Sequence, residues 1–144
     1  MKILKEFRWE MGHRLPLHEG LCRNVHGHSY RMIVEISGEI NENGMIIDFF
    51  DLAKIVNPII DKYDHAFMCW DRDLNLRSFL ISNKMKKVFV SYHSTVENIC
   101  KDLAGVIFKK LRKLSGYEFG ELKVRIYETP NASAELTMKF PNTA

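Results

Sequence analysis

His26 and His28 stand two apart in the run Cys22-Arg23-Asn24-Val25-His26-Gly27-His28-Ser29-Tyr30. Side chains alternate along a strand, so two histidines at this spacing point to the same side of an extended chain. Two imidazoles side by side suit one metal ion. His13 closes an earlier stretch that also alternates. Three histidines with a fourth position left open is the pattern of a catalytic zinc centre, whereas structural zinc is usually closed by four protein ligands. Any one of these histidines could be an ordinary polar residue near a strand end; the three on matching faces read as metal ligands.

Other residues could carry chemistry beside them. Cys22, four positions before His26, is either a small buried hydrophobe or a thiolate base, because nearby positive charge lowers a thiol's pKa. Asp64-His65 follows a helical pattern and could be plain helix-exit polarity. Adjacent residues on a strand point apart, so this pair works together only on a turn. Glu128 ends an apolar face and needs a partner, since a buried unpaired carboxylate is costly. Ser94-Thr95-Val96-Glu97 matches a capping box, with Ser94 at the N-cap and Glu97 three residues on. His18 and His93 read as surface or loop residues, and Cys100 as core.

The elements that must position these groups follow from periodicity. In residues 3–13, Phe7, Trp9, Met11 and His13 share one face, and Glu6, Arg8 and Glu10 the other. In residues 26–37, His26, His28, Tyr30, Met32, Val34 and Ile36 share a face. If the two strands pair, the three histidines meet. Residues 14–25 are loop. Asn43-Gly44 marks a turn. Asp48 is a good N-cap for a helix over residues 49–63, with Pro58 loosening its ladder. Residues 66–94 show no clear period; Lys87–Val90 reads as a short strand and the rest as loop or a short helix. A long amphipathic helix runs from Val96 to Leu114, with Gly116 as a stop. Two last strands carry Leu122, Val124, Ile126 and Glu128 on one face, then Ala132, Ala134, Leu136, Met138 and Phe140. The expectation is one α+β domain over residues 1–144, a four-stranded antiparallel sheet with two helices on one face in the order ββααββ.

At 144 residues the chain is long enough for one domain with a real core. A net charge of +3 is too mild to argue for nucleic acid or a membrane surface, and it would not repel an anionic substrate. Three cysteines without a pattern fit a reduced, cytoplasmic setting better than a disulfide framework. No apolar run is long enough to span a bilayer, and the N-terminus lacks a signal-peptide core.

Six motifs in order carry a resemblance: Phe7-Arg8-Trp9-Glu10-Met11-Gly12-His13-Arg14; Cys22-Arg23-Asn24-Val25-His26-Gly27-His28; Ile47-Asp48-Phe49-Phe50-Asp51-Leu52; Asp64-His65; Ser94-Thr95-Val96-Glu97-Asn98; and Glu128-Thr129. The chain resembles the family of 6-pyruvoyltetrahydropterin synthase and 6-carboxytetrahydropterin synthase. The resemblance implies the tunnelling fold (T-fold) and Zn2+ on His13, His26 and His28. It makes Cys22, Asp64 and His65 the proton carriers and Glu128 the anchor of the pterin ring, with Thr95 and Glu97 in the pterin pocket; for Glu97 the capping role stands beside this one. The spacing of Cys22 to the paired histidines is similar to that of the carboxy-forming branch of 7-deazaguanine (queuosine) biosynthesis. That branch converts 7,8-dihydroneopterin triphosphate to 6-carboxytetrahydropterin, acetaldehyde and triphosphate. The pyruvoyl-forming reaction and a non-catalytic pterin- or zinc-binding oligomer are the alternatives. Family members form homo-oligomers, commonly hexamers, with active sites between subunits. Departures are the length of residues 66–94, Val96, where some relatives have a second threonine, and Pro130-Asn131-Ala132 after Glu128-Thr129, in a region that varies.

Overall fold

In the computed structural model, which describes residues 1–141, alternation builds the first hairpin as the pattern predicts. Strand β1 (Lys2–His13) pairs antiparallel with β2 (His26–Gly38) along its whole length, from Lys2 opposite Ser37 to His13 opposite His26. Phe7, Trp9, Met11 and His13 of β1 and Tyr30, Met32, Val34 and Ile36 of β2 are buried on one face. Strand β5 (Phe119–Thr129) pairs antiparallel with β2, and β6 (Ala132–Lys139) with β5. Leu122, Val124 and Ile126 lie on the buried side of β5.

The sheet is larger than the expected four antiparallel strands. It has six strands in the order β4-β3-β1-β2-β5-β6 and is mixed. Strand β3 (Ala66–Trp70) runs parallel to β1, with Met11 opposite Ala66 and Gly12 opposite Phe67, and β4 (Lys87–Val90) runs parallel to β3. A helix, α2 (Leu74–Ser82), joins them, so the described residues hold three α-helices rather than two. The reason for the misreading is physical. Met68 belongs to the main core, whereas its neighbour Cys69 packs with Leu76 and Leu80 of α2. Successive residues of a strand face opposite ways. A parallel strand covered on both sides reads as a short apolar run with no alternation.

Helix α1 (Phe49–Ile60) starts where Asp48 predicts: the Asp48 carboxylate accepts from the N–H groups of Phe50 at 2.6 Å and Asp51 at 3.4 Å. It stops three residues short of the expected 63, with Pro58 in its last turn, and tight turns carry the chain through residues 61–65. Helix α3 (Val96–Leu111) is capped by Thr95, whose Oγ1 accepts from the Asn98 N–H at 3.3 Å, and not by Ser94; it ends at Leu111 rather than Leu114. Its Ile99, Cys100, Leu103, Ile107 and Leu111 join Leu52, Val56, Ile59 and Ile60 of α1 against the sheet. Each such buried aliphatic contributes about 1.5–3 kcal/mol. No helix among the described residues is long and apolar enough to cross a membrane.

Candidate metal centre and active site

The antiparallel register delivers the three histidines to one place. His13 ends β1 directly opposite His26, and His28 lies two residues further along β2. The ring centroids form a nearly equilateral triangle, 4.7 Å between His13 and His26, 5.1 Å between His13 and His28, and 4.9 Å between His26 and His28. Their ligand-capable atoms all lie within 4.8 Å of one another.

Backbone carbonyls fix which nitrogen each ring offers. A carbonyl only accepts, so His13 donates its Nδ1–H to the Ser94 carbonyl at 2.8 Å, with the Ser94 hydroxyl 3.2 Å away. His26 likewise donates Nδ1–H to the Asn24 carbonyl at 2.7 Å. A neutral imidazole has one N–H, so each ring keeps a lone pair on Nε2. The His13 Nε2 is buried with no hydrogen-bond partner. Burial, helped by the neighbouring His26 and His28, pushes the His13 pKa down to about 4, and burial also lowers that of His28. His13 is therefore neutral at pH 7, the form that binds a metal. An unpartnered buried acceptor costs free energy. A cation on Nε2 relieves that cost, so the donor set fits a metal ion.

Glu128 closes the other side. Its Oε1 lies 3.5 Å from the His13 Nε2 and 3.7 Å from the His28 Nε2, and accepts from the Tyr30 hydroxyl at 3.4 Å. Burial, reinforced by the Glu128 charge, raises the Tyr30 pKa far above its ordinary value, which keeps this hydroxyl a donor.

Asp64 and His65 lie on the turn after α1. The Asp64 carboxylate accepts from the Glu10 N–H at 2.9 Å and lies 3.0 Å from the His65 Nδ1, while the His65 backbone N–H donates to the Glu10 carbonyl at 2.6 Å. The Glu10 N–H, followed by the His65 ring, holds the Asp64 carboxyl below the usual carboxylate range. A cleft of about 350 Å3 is lined by Glu10, Gly12, Ser29, His65 and Phe67, and of the histidine cluster only His28 borders it. Cys22 sits half-buried on a single 3-10 turn, Leu21–Arg23, and is not among the residues lining that cleft. Thr95 and Glu97 stand at the start of α3, next to the Ser94 that holds His13.

A model of the 6-pyruvoyl tetrahydropterin synthase family matches residues 2–139. The chain belongs to this family. It is 36% identical over 142 residues to the 6-carboxy-5,6,7,8-tetrahydropterin synthase of Haemophilus influenzae, covering 93% of this chain and 96% of that protein. To the protein of the same name in Rickettsia bellii it is 27% identical over 139 residues, covering 94% and 99%. The solved 6-pyruvoyl tetrahydropterin synthase of Plasmodium vivax matches with a TM-score of 0.79 at 19% identity, over 97% of this chain and 98% of that one. At that identity the likeness shows the fold, which is the tunnelling fold of the pterin synthases.

Within this family fold, three contacts around the site were not legible in the sequence. Ser94 looks like a helix cap, yet it is fully buried and faces His13. Tyr30 looks like one more apolar position of β2, yet its hydroxyl reaches Glu128. Arg14, one residue after His13, makes a two-pronged ion pair with Asp73, 2.6 Å from Nε to Oδ2 and 2.5 Å from Nη2 to Oδ1. The polar tip of Tyr30 on an apolar face was a usable signal; the other two depend on long-range packing.

Proposed function

We propose that the chain is a zinc-dependent lyase, a 6-carboxy-5,6,7,8-tetrahydropterin synthase. It converts 7,8-dihydroneopterin triphosphate to 6-carboxytetrahydropterin, acetaldehyde and triphosphate, in queuosine biosynthesis. The observation that carries this reading is the convergence of His13, His26 and His28 around an unpartnered, buried Nε2 in a pterin-synthase fold. The sequence relatives carrying the carboxy name favour that product over the pyruvoyl one. Zinc on these histidines supplies Lewis-acid polarisation of the substrate's side-chain oxygens. Glu128 accepts hydrogen bonds from the pterin ring, and Thr95 and Glu97 border the ring pocket. Cys22 takes a proton as thiolate, and His65, oriented and charged by Asp64, relays protons so that triphosphate leaves and the side chain is cleaved.

The chain forms a single domain that assembles as a homohexamer in the cytoplasm. Two features support assembly. The His65 side chain is 76% exposed in one chain, although ligand sites bury most of their ligand. The sheet also ends in two edge strands, β4 and β6, and such edges are liabilities unless paired or covered. Subunit contacts there would complete the site.

The test is to incubate the purified, zinc-loaded protein with 7,8-dihydroneopterin triphosphate and identify the pterin by mass. 6-Carboxytetrahydropterin with acetaldehyde is the expected product. 6-Pyruvoyltetrahydropterin would instead establish the pyruvoyl reaction, and unchanged substrate would leave a binding protein.

A further inference from the structure

His65 has a backbone φ of +57°, in the left-handed region that non-glycine residues seldom adopt. Such a conformation costs about 1–2 kcal/mol and persists only when its surroundings hold it. The turn also follows the C-terminus of α1, where unpaired carbonyls gather negative charge. The last turn of α1 has no basic residue of its own. Lys86 supplies the charge from elsewhere in the chain: its Nζ donates to the Asp61 carbonyl at 2.7 Å and to the Asp64 carbonyl at 2.6 Å. Lys86 is aimed there by the sheet, because its own carbonyl accepts from the Phe67 N–H at 3.0 Å, just before β4 begins pairing with β3.

We propose that Lys86 is a positioning residue: its ammonium bridges the Asp61 and Asp64 carbonyls and locks the Asp64–His65 turn in the geometry that proton transfer by His65 requires. The inference rests on the proton-relay role proposed above. It also gives the β3-α2-β4 segment a task, since this excursion brings the Lys86 ammonium to the turn. Three ties then converge on the Asp64–His65 pair, whose second member is the strained one. Glu10 N–H holds the Asp64 carboxylate, the Glu10 carbonyl holds the His65 amide, and Lys86 holds the Asp64 carbonyl. The ammonium also adds to the field that keeps Asp64 ionised.

The test uses the full-length, zinc-loaded protein and two variants, Lys86→Met, which keeps the stem without charge, and Lys86→Arg, which keeps charge and donors. Amide hydrogen exchange at His65 reads the turn directly. Steady-state kinetics with 7,8-dihydroneopterin triphosphate read its consequence. Lys86 is exposed, so both variants fold. In Lys86→Met, which loses both hydrogen bonds, exchange at His65 should quicken at least roughly tenfold, the effect of a single charge-assisted hydrogen bond. kcat should fall roughly ten- to a hundredfold with KM nearly unchanged, as for a misplaced catalytic group. Lys86→Arg should restore both. Wild-type exchange in Lys86→Met overturns the clamp. Faster exchange with an unchanged kcat overturns its role in catalysis. Absence of turnover in the wild-type protein strikes the enzymatic reading instead, and exchange alone then decides whether Lys86 holds the turn.

Discussion

The β1–β2 hairpin and the β3-α2-β4 excursion flank the same site but are built on opposite rules. The hairpin is antiparallel, half-buried and regular, and it carries the three histidines on its buried face. The excursion is parallel and short-stranded, and it supplies Asp73, Phe67 and Lys86, which contact the hairpin or the turn beside it. Regular alternation presents several side chains of one kind at one point, as a metal site demands. An irregular excursion reaches backbone groups that the hairpin cannot. Substitutions around the hairpin should therefore damage chemistry more than stability, and those in the body of the excursion, Lys86 apart, the reverse.

The largest effect is expected at Cys22, on the loop that leads into β2. Cys22→Ala should lower turnover by roughly 10²–10⁴-fold, typical for loss of a positioned general base, with zinc content and melting temperature retained. Steady-state kinetics beside metal analysis measure this; near-wild-type turnover would move the base role to His65. Glu128→Ala should instead weaken pterin binding by about 1.5–3 kcal/mol, the worth of hydrogen bonds to a charged acceptor, as read by fluorescence titration.

Asp73→Asn tests the excursion. Asp73 is buried, caps α2 and holds Arg14, and the Arg14 guanidinium keeps its carboxyl below the ordinary range. The substitution should cost about 2 kcal/mol at neutral pH. The sign follows from linkage: a carboxyl with a lowered folded-state pKa contributes stability that is present above its unfolded value and lost as pH falls through the folded one. The gap between wild type and Asp73→Asn in thermal melts should thus close below the ordinary aspartate pKa of 3.8. A gap that does not narrow at all as pH falls below that value would show that packing, not charge, is what Asp73 provides. The smallest effect is expected from Thr95→Ala, about 1 kcal/mol for a lost N-cap, while Ser94→Ala should leave α3 capped.

Legibility in the sequence follows the same division. His13, His26 and His28 could be placed on one face because β1 and β2 alternate strictly, and parity survives any small error in the strand ends. The Asp48 cap and the body of α3 were readable for a similar reason, since both are local. Ala66–Trp70 was not, because β3 is buried on both faces and its apolar residues show no period. Ser94 misled because two neighbouring hydroxyls competed for one cap, and the one left over faces a histidine 81 positions away. Lys86 carries no local mark at all, being one lysine in a basic stretch until the fold brings it to a turn 22 residues upstream.

The central claim is that the three histidines hold a metal ion on which the chemistry depends, and elemental analysis tests it most directly. Wild-type protein purified without chelator should carry about one zinc per chain, and the double variant His26→Ala/His28→Ala close to none, because a single remaining imidazole cannot complete the open site of three histidines. A double variant that binds zinc as fully as the wild type would contradict the assignment and, with it, the mechanism built on these three residues.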